Sequence, residues 1–164
     1  MKYGAVISIL FLVFVIGTAG CMSSSEEQVP TESDKLLFNH VLDEADNFGY
    51  VDLTISALSA EEYDLAIEYA NKAKYETDQR LSTVNGLSVS TDFQPFKSTF
   101  LEYLKSKNDV IFNLKTTAEY MKRGDLAKAL EYLKYANNDM EKLPLRLEEM
   151  TLQIKEIEAK YPES

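Results

Sequence analysis

From Leu126 to Tyr161 apolar residues recur alternately three and four positions apart. Leu126, Leu133, Met140, Leu147, Ile154 and Tyr161 share one heptad position, and Ala129, Ala136, Leu143, Met150 and Ile157 share the position three residues later. That spacing draws one unbroken apolar stripe along a helix, which at 1.5 Å per residue would run for about 54 Å. A rod of this kind is not stable alone, because most helical stability in proteins comes from packing an apolar face. The upstream chain supplies the faces to cover it.

Beginning at Ser33, the residues Leu37, Val41, Phe48, Ile55 and Leu58 keep helical spacing, with Gly49 predicting a bend near Asn47 to Tyr50. Ser59-Ala60-Glu61-Glu62 has the capping-box pattern, flanked by Leu58 and Tyr63 at the staple positions, so it predicts the start of a second helix. That helix carries Ala66, Ala70, Ala73, Thr77, Leu81 and Val84 on one side, and Asn85-Gly86 predicts a left-handed stop. Thr91-Asp92-Phe93-Gln94-Pro95 then combines capping side chains with a first-turn proline and opens a third helix, whose buried face runs Phe93, Phe96, Phe100, Leu104, Ile111, Leu114, Ala118 and Met121. Glu119 and Arg123 are spaced as an i,i+4 pair on it. Gly124-Asp125 closes the third helix and caps the fourth. Within the fourth, Pro144 removes the bond to the Met140 carbonyl. The helix either ends near Lys142 and restarts or continues with a kink; the heptad frame passes the proline without slipping, which favours one kinked helix. Tyr161-Pro162 ends it.

Four long helices with short turns predict an all-α, antiparallel up-down-up-down four-helix bundle over residues 33–162. There is an internal echo at an offset of 63 residues: Ala66-Ile67-Glu68-Tyr69 matches Ala129-Leu130-Glu131-Tyr132, and Ala73 matches Ala136. The echo suggests a duplicated helical hairpin. Arg123-Gly124-Asp125-Leu126-Ala127-Lys128-Ala129-Leu130-Glu131-Tyr132 also resembles the inter-helix turn of a tetratricopeptide repeat, but the period departs from that family's 34 residues. Only shared turn chemistry is implied.

The N-terminus changes the picture of where this bundle works. Lys2 precedes an apolar run from Ala5 to Ile16, followed by Gly17, Thr18, Ala19 and Gly20, the parts of a secretory signal over residues 1–20. Thr18-Ala19-Gly20-Cys21 resembles the lipobox of prokaryotic lipoproteins, which implies that the Cys21 thiol receives a diacylglyceryl group and becomes the first mature residue. Residues 21–32, with Ser23, Ser24, Ser25, Glu26, Glu27 and Gln28, then read as a polar tether. The alternatives are an uncleaved membrane helix, for which the run is short of about 20 apolar residues, and a cleaved, unlipidated secreted chain. On the lipoprotein reading the domain is anchored to the cell membrane on its extracytoplasmic face, within a tether's reach of about 18 Å.

Composition excludes several functions. A net charge of −10 argues against nucleic acid, whose phosphates need Lys and Arg patches. Cys21 is the sole cysteine, so no intramolecular disulfide forms. His40, with Asp43 and Glu44 a turn later, could offer metal ligands, but the several-helix ligand pattern of bundle metal sites is missing. A haem pair would need His40 with Met121, Met140 or Met150, all of which serve the core stripe. No nucleophile elbow or glycine-rich phosphate loop occurs.

No cofactor, metal or catalytic residue is therefore expected, and the chain reads as a non-enzyme. Tyr63, Tyr69, Tyr120 and Tyr132 gather near the two hairpin turns predicted at one end of the bundle, a candidate surface for a ligand or partner. The expected role is a protein-interaction or structural module at the cell envelope. The alternative is a small-ligand or sensory bundle working with a separate membrane partner.

Overall fold

The computed structural model describes residues 29–45 and 49–161. These form an all-α antiparallel four-helix bundle, built from α1 (Glu32–Ala45), α2 (Gly49–Ser59), α3 (Tyr63–Gly86), α4 (Gln94–Lys122), α5 (Leu126–Met140) and α6 (Lys142–Lys160), with a 3-10 turn at Thr91–Phe93 before α4. The expected leader, Cys21 with its expected lipid, and most of the expected tether lie outside the described residues, as do residues 46–48, where the first bend was expected.

Contacts along the helices fix the directions. Asp34 bonds Ser90, Glu44 meets Arg80, Tyr50 stacks on Tyr69, and Ala57 packs with Ala66, so α1 and then α2 run back along α3 as one leg. The same holds on the other side of α4. Tyr120 meets Tyr132, Asn113 meets Asp139, Glu102 meets Arg146, Thr99 meets Gln153, and Asp92 meets Lys160. One antiparallel leg therefore covers α4 through both α5 and α6.

The α4 helix is the shared wall. Its Phe96, Phe100, Leu104, Ile111, Leu114 and Ala118 are all buried, as the sequence pattern predicts, Val110 is buried beside them, and Met121, expected on the same face, is only half-buried near the helix end. Each large apolar side chain buried this way stabilises by roughly 1.5–3 kcal/mol. Opposite it, small residues let the neighbouring helices come close: Ala66, Ala70 and Ala73 of α3, and Ala129 and Ala136 of α5, are buried almost completely.

The fourth leg departs from the expected single kinked helix. α5 ends at Met140 and α6 restarts at Lys142, with Pro144 in the first turn of α6, where its missing N–H costs least. Glu141 between them stays right-handed helical (φ −64°, ψ −21°) and donates to the Asn137 carbonyl, so the direction and the pairing register with α4 survive the break. The two stripe positions are unequal. Ala129, Ala136, Leu143, Met150 and Ile157 are all buried, whereas Leu133, Met140 and Leu147 are half-buried and Leu126 is 61% exposed.

Two predicted helix ends also prove different. The Ser59 hydroxyl does not cap α3; it donates to the Ile55 carbonyl inside α2, and α3 starts later, at Tyr63. The intervening residues close α2 instead: Glu62 N–H donates to the Ala57 carbonyl and Glu61 N–H to the Leu58 carbonyl, with Glu61 at φ 62°. This is a Schellman closure with glutamate in the left-handed position. Asn85-Gly86, in contrast, needs no left-handed residue: α3 includes Gly86 and ends as Leu87 turns extended. The helix start missed in the sequence is Thr31, whose backbone N–H bonds the Asp34 carboxylate while its hydroxyl accepts from Asp34 N–H.

The α4–α5 turn repeats the α2–α3 turn bond for bond at the offset of 63. Asp125 N–H donates to the Tyr120 carbonyl, Gly124 N–H donates to Met121, and Gly124 sits at φ 77° where Glu61 sits at 62°. The left-handed conformation costs a non-glycine residue about 1–2 kcal/mol. Glu61→Gly is therefore expected to stabilise the protein by about 0.5 kcal/mol and Gly124→Ala to destabilise it by about 1 kcal/mol, opposite signs that chemical denaturation of the two variants checks.

Candidate functional site

The four tyrosines singled out in the sequence do lie toward one end, where the Lys122–Asp64 ion pair ties the two turns together, but they form two groups. Tyr120 and Tyr132 stack across α4 and α5 with ring centroids 5.6 Å apart, Tyr135 meets Tyr132 edge-on at 5.8 Å, and the Arg123 guanidinium lies 5.7 Å from the Tyr120 ring. Arg123 thus turns onto the aromatic ring, while Glu119 has Lys115 at 4.0 Å. Tyr69 finds its ring partner in Tyr50, a residue the sequence reading passed over, at 6.1 Å. Tyr63 is half-buried at the first position of α3.

Around these rings each hairpin bears a shallow groove, open to solvent. The first lies between α2 and α3 and is lined by Tyr50, Glu68, Lys72, Tyr75 and Glu76. Lys72 sits 5.8 Å from the Tyr50 ring and 5.7 Å from the Tyr69 ring, and its ammonium bonds Glu68 at 2.6 Å. That carboxylate is the main reason its pKa lies above the usual lysine value. The second groove lies between α4, α5 and the first residue of α6 and is lined by Asp109, Phe112, Asn113, Tyr135, Asn138, Asp139 and Lys142. Asn113 donates to Asp139 at 2.9 Å, and Lys142 donates to the same carboxylate at 2.6 Å. Tyr75 is 67% exposed and Phe112 56%; neither was marked by the sequence reading, because each occupies a helical face that the core pattern assigns to solvent.

A third polar cluster is buried. Glu44 of α1 accepts from Lys107 of α4 and pairs with Arg80 of α3 at 3.0 Å, and Arg80 also donates to the His40 carbonyl. The Glu44 and Lys107 side chains are about 95% buried. Next to them burial, and then the Glu44 charge, push the Tyr103 phenol well above its ordinary pKa, so it stays neutral. Glu44 is thus committed to two basic side chains rather than turned toward His40 and Asp43, and among the described residues no three His, Cys, Asp or Glu side chains gather as metal ligands would. Met140 packs against the core and Met150 is buried in it. The triad's evident work is to fasten α1 to two other helices. The charges that do this were invisible in the sequence, since Glu44, Arg80 and Lys107 stand far apart and each looks like a surface residue.

Comparison with known protein families, with characterised proteins and with solved structures finds no match to this chain. Among the described residues no helix is long and apolar enough to cross a membrane.

Removing one partner of a buried ion pair leaves the other charge uncompensated, at a cost of about 3–5 kcal/mol. Lys107→Ala is expected to fall in that range, whereas Lys74→Ala, which breaks the exposed Lys74–Asp78 pair, should change stability by less than about 1 kcal/mol. Urea unfolding of both variants measures the contrast; equal small losses would mean that Glu44 and Arg80 hold α1 without Lys107.

Proposed function

We propose that this protein is a lipid-anchored, extracytoplasmic helical module that binds a protein partner close to the membrane and catalyses no reaction of its own. The observation that carries the reading is the placement of large apolar side chains which the fold does not use. Tyr75, Phe112 and Leu130 are more than half exposed, on helices whose opposite faces are fully packed. Aromatic side chains with an apolar body and a free edge are favoured anchors in protein interfaces. The lipobox-like Thr18-Ala19-Gly20-Cys21 supports the location, and the net charge of −10 supports a protein partner over nucleic acid.

The small-ligand reading has less in its favour. Ligand sites are usually concave and largely enclosed, and the two grooves found on the hairpins open outward to solvent.

Two measurements test this. Cys21→Ser is expected to move the protein from the membrane fraction to the soluble extracytoplasmic fraction; full-length, membrane-bound Cys21→Ser protein would overturn the lipid anchor. Crosslinking of the anchored protein in its own membranes, read by mass spectrometry, is expected to recover a protein partner joined through α3, α4 or α5. Recovery of lipid alone would sink the partner reading.

A further inference from the structure

The two grooves are related to each other. Tyr50 and Asn113, Lys72 and Tyr135, Tyr75 and Asn138, and Glu76 and Asp139 are lining pairs, one from each groove, and every pair is separated by the same 63 residues that separate Glu61 from Gly124. One more correspondence lies just behind them. Glu68 accepts from Lys72 in the first hairpin, and Glu131 accepts from the Tyr135 hydroxyl at 2.9 Å in the second, the same i,i+4 pair with a different donor. A hairpin geometry used twice has thus placed the same surface hollow twice.

Both hollows set carboxylates beside aromatic rings. In the first, Glu68 and Glu76 stand with Tyr50, Tyr69 and Tyr75; in the second, Asp109 and Asp139 stand with Phe112 and Tyr135. Such a combination attracts cations twice over, through the negative face of the ring and through the carboxylate charge. The protein's own lysines already display that chemistry. Lys72 lies near two rings and on Glu68, and Lys142 lies on Asp139. Both lysines are largely exposed, and the Lys72–Glu68 pair, exposed at both ends, is weak enough to exchange with an incoming cation; Asp139 is only 17% exposed, but the Lys142 ammonium that covers it is free to swing into solvent.

We propose that the two grooves are a pair of related docking sites for lysine and arginine side chains on a basic segment of the protein partner. The proposal rests on the partner reading above and specifies its chemistry. Charge complementarity selects the occupant: a chain of net charge −10 repels acidic segments and draws basic ones. Tyr75 and Phe112 then supply the apolar surface against which the aliphatic stem of a lysine or arginine lies while its charge meets a carboxylate.

The test uses the full chain with fluorescein-labelled octalysine and octaglutamate peptides, followed by anisotropy at about 0.15 M salt, where long-range attraction between exposed charges is largely screened. Octalysine is expected to bind and octaglutamate not. The double variant Tyr75→Ser/Phe112→Ser, both positions exposed and its helicity checked by circular dichroism, is expected to bind octalysine about fivefold or more weakly. Glu148→Gln/Glu158→Gln, which removes two exposed acids of α6 outside the grooves, should weaken binding less than twofold. Octalysine binding that is absent, unchanged in the aromatic variant, or lost equally in the α6 variant would overturn the proposal. A partner crosslinked equally by the wild type and the aromatic variant would overturn the grooves while leaving the anchored-module reading in place.

Discussion

The structure depends on burying α4 on more than one side. Helices α3, α5 and α6 all pack against it, so its buried positions cannot be confined to the narrow stripe of a surface helix, and polar residues fall inside along with the phenylalanines. Tyr103, Lys107, Asn113 and Thr117 are all buried. Each buried polar group must find a partner or carry the cost of its lost water. Three of the four find one: Glu44 comes from α1 for Lys107, Asp139 from α5 for Asn113, and Thr117 bonds back to the Asn113 carbonyl within α4, whereas the buried Tyr103 hydroxyl makes no hydrogen bond among the described residues and carries that cost. The acids of the flanking legs are in this sense set by the central helix, and they lock the legs in register in a way that apolar packing, which tolerates sliding, does not.

Period and composition made the helical architecture legible. The buried face of α4 and the five Ala129-to-Ile157 stripe positions could be named from spacing alone, because a helix packed on a partner must repeat its apolar residues every three or four positions. Helix ends were harder. Ser59, Glu61 and Glu62 satisfy a capping rule on paper, yet the chain spends those residues closing α2, and a single left-handed residue decides between the two outcomes. Nothing in a glutamate announces that conformation, whereas Gly124 does. The buried triad was illegible for another reason: pairing across α1, α3 and α4 is a property of the assembled legs, and no window of sequence contains it. The tyrosine surface was half legible. Tyr120 and Tyr132 do meet, but Tyr69 meets Tyr50, because α2 presents a ring at the height where α3 needs one.

Turn geometry carries the internal echo more faithfully than residue identity. Between the two hairpins the left-handed residue changes from glutamate to glycine and the following cap from glutamate to aspartate, yet the hydrogen bonds fall at corresponding atoms. Only Asp125 uses its side chain as a cap, accepting from Lys128 N–H at 3.1 Å, so the second turn is the better built of the two. Backbone closure fixes where a helix leaves the turn, and that in turn fixes which positions of α2 and α3, or of α4 and α5, flank a hollow. The surface residues there differ, Tyr135 in one groove standing at the position that corresponds to Lys72 in the other.

Exposed aromatics scattered singly over a surface require no explanation. What distinguishes Tyr75, Phe112 and Tyr135 is their position in hollows that a repeated turn generates, beside carboxylates. Contacts in such hollows are weak one at a time, since water and salt reach them. On the anchored reading weakness is not a defect. There a polar tether of about a dozen residues would confine the domain to a thin layer above the lipid. A partner held in the same layer would then meet both grooves at high effective concentration, and the second contact would form without a second encounter. Under the docking proposal, two modest sites on a leash would hold what neither would hold in solution, and would release it when either the charge or the anchor is taken away.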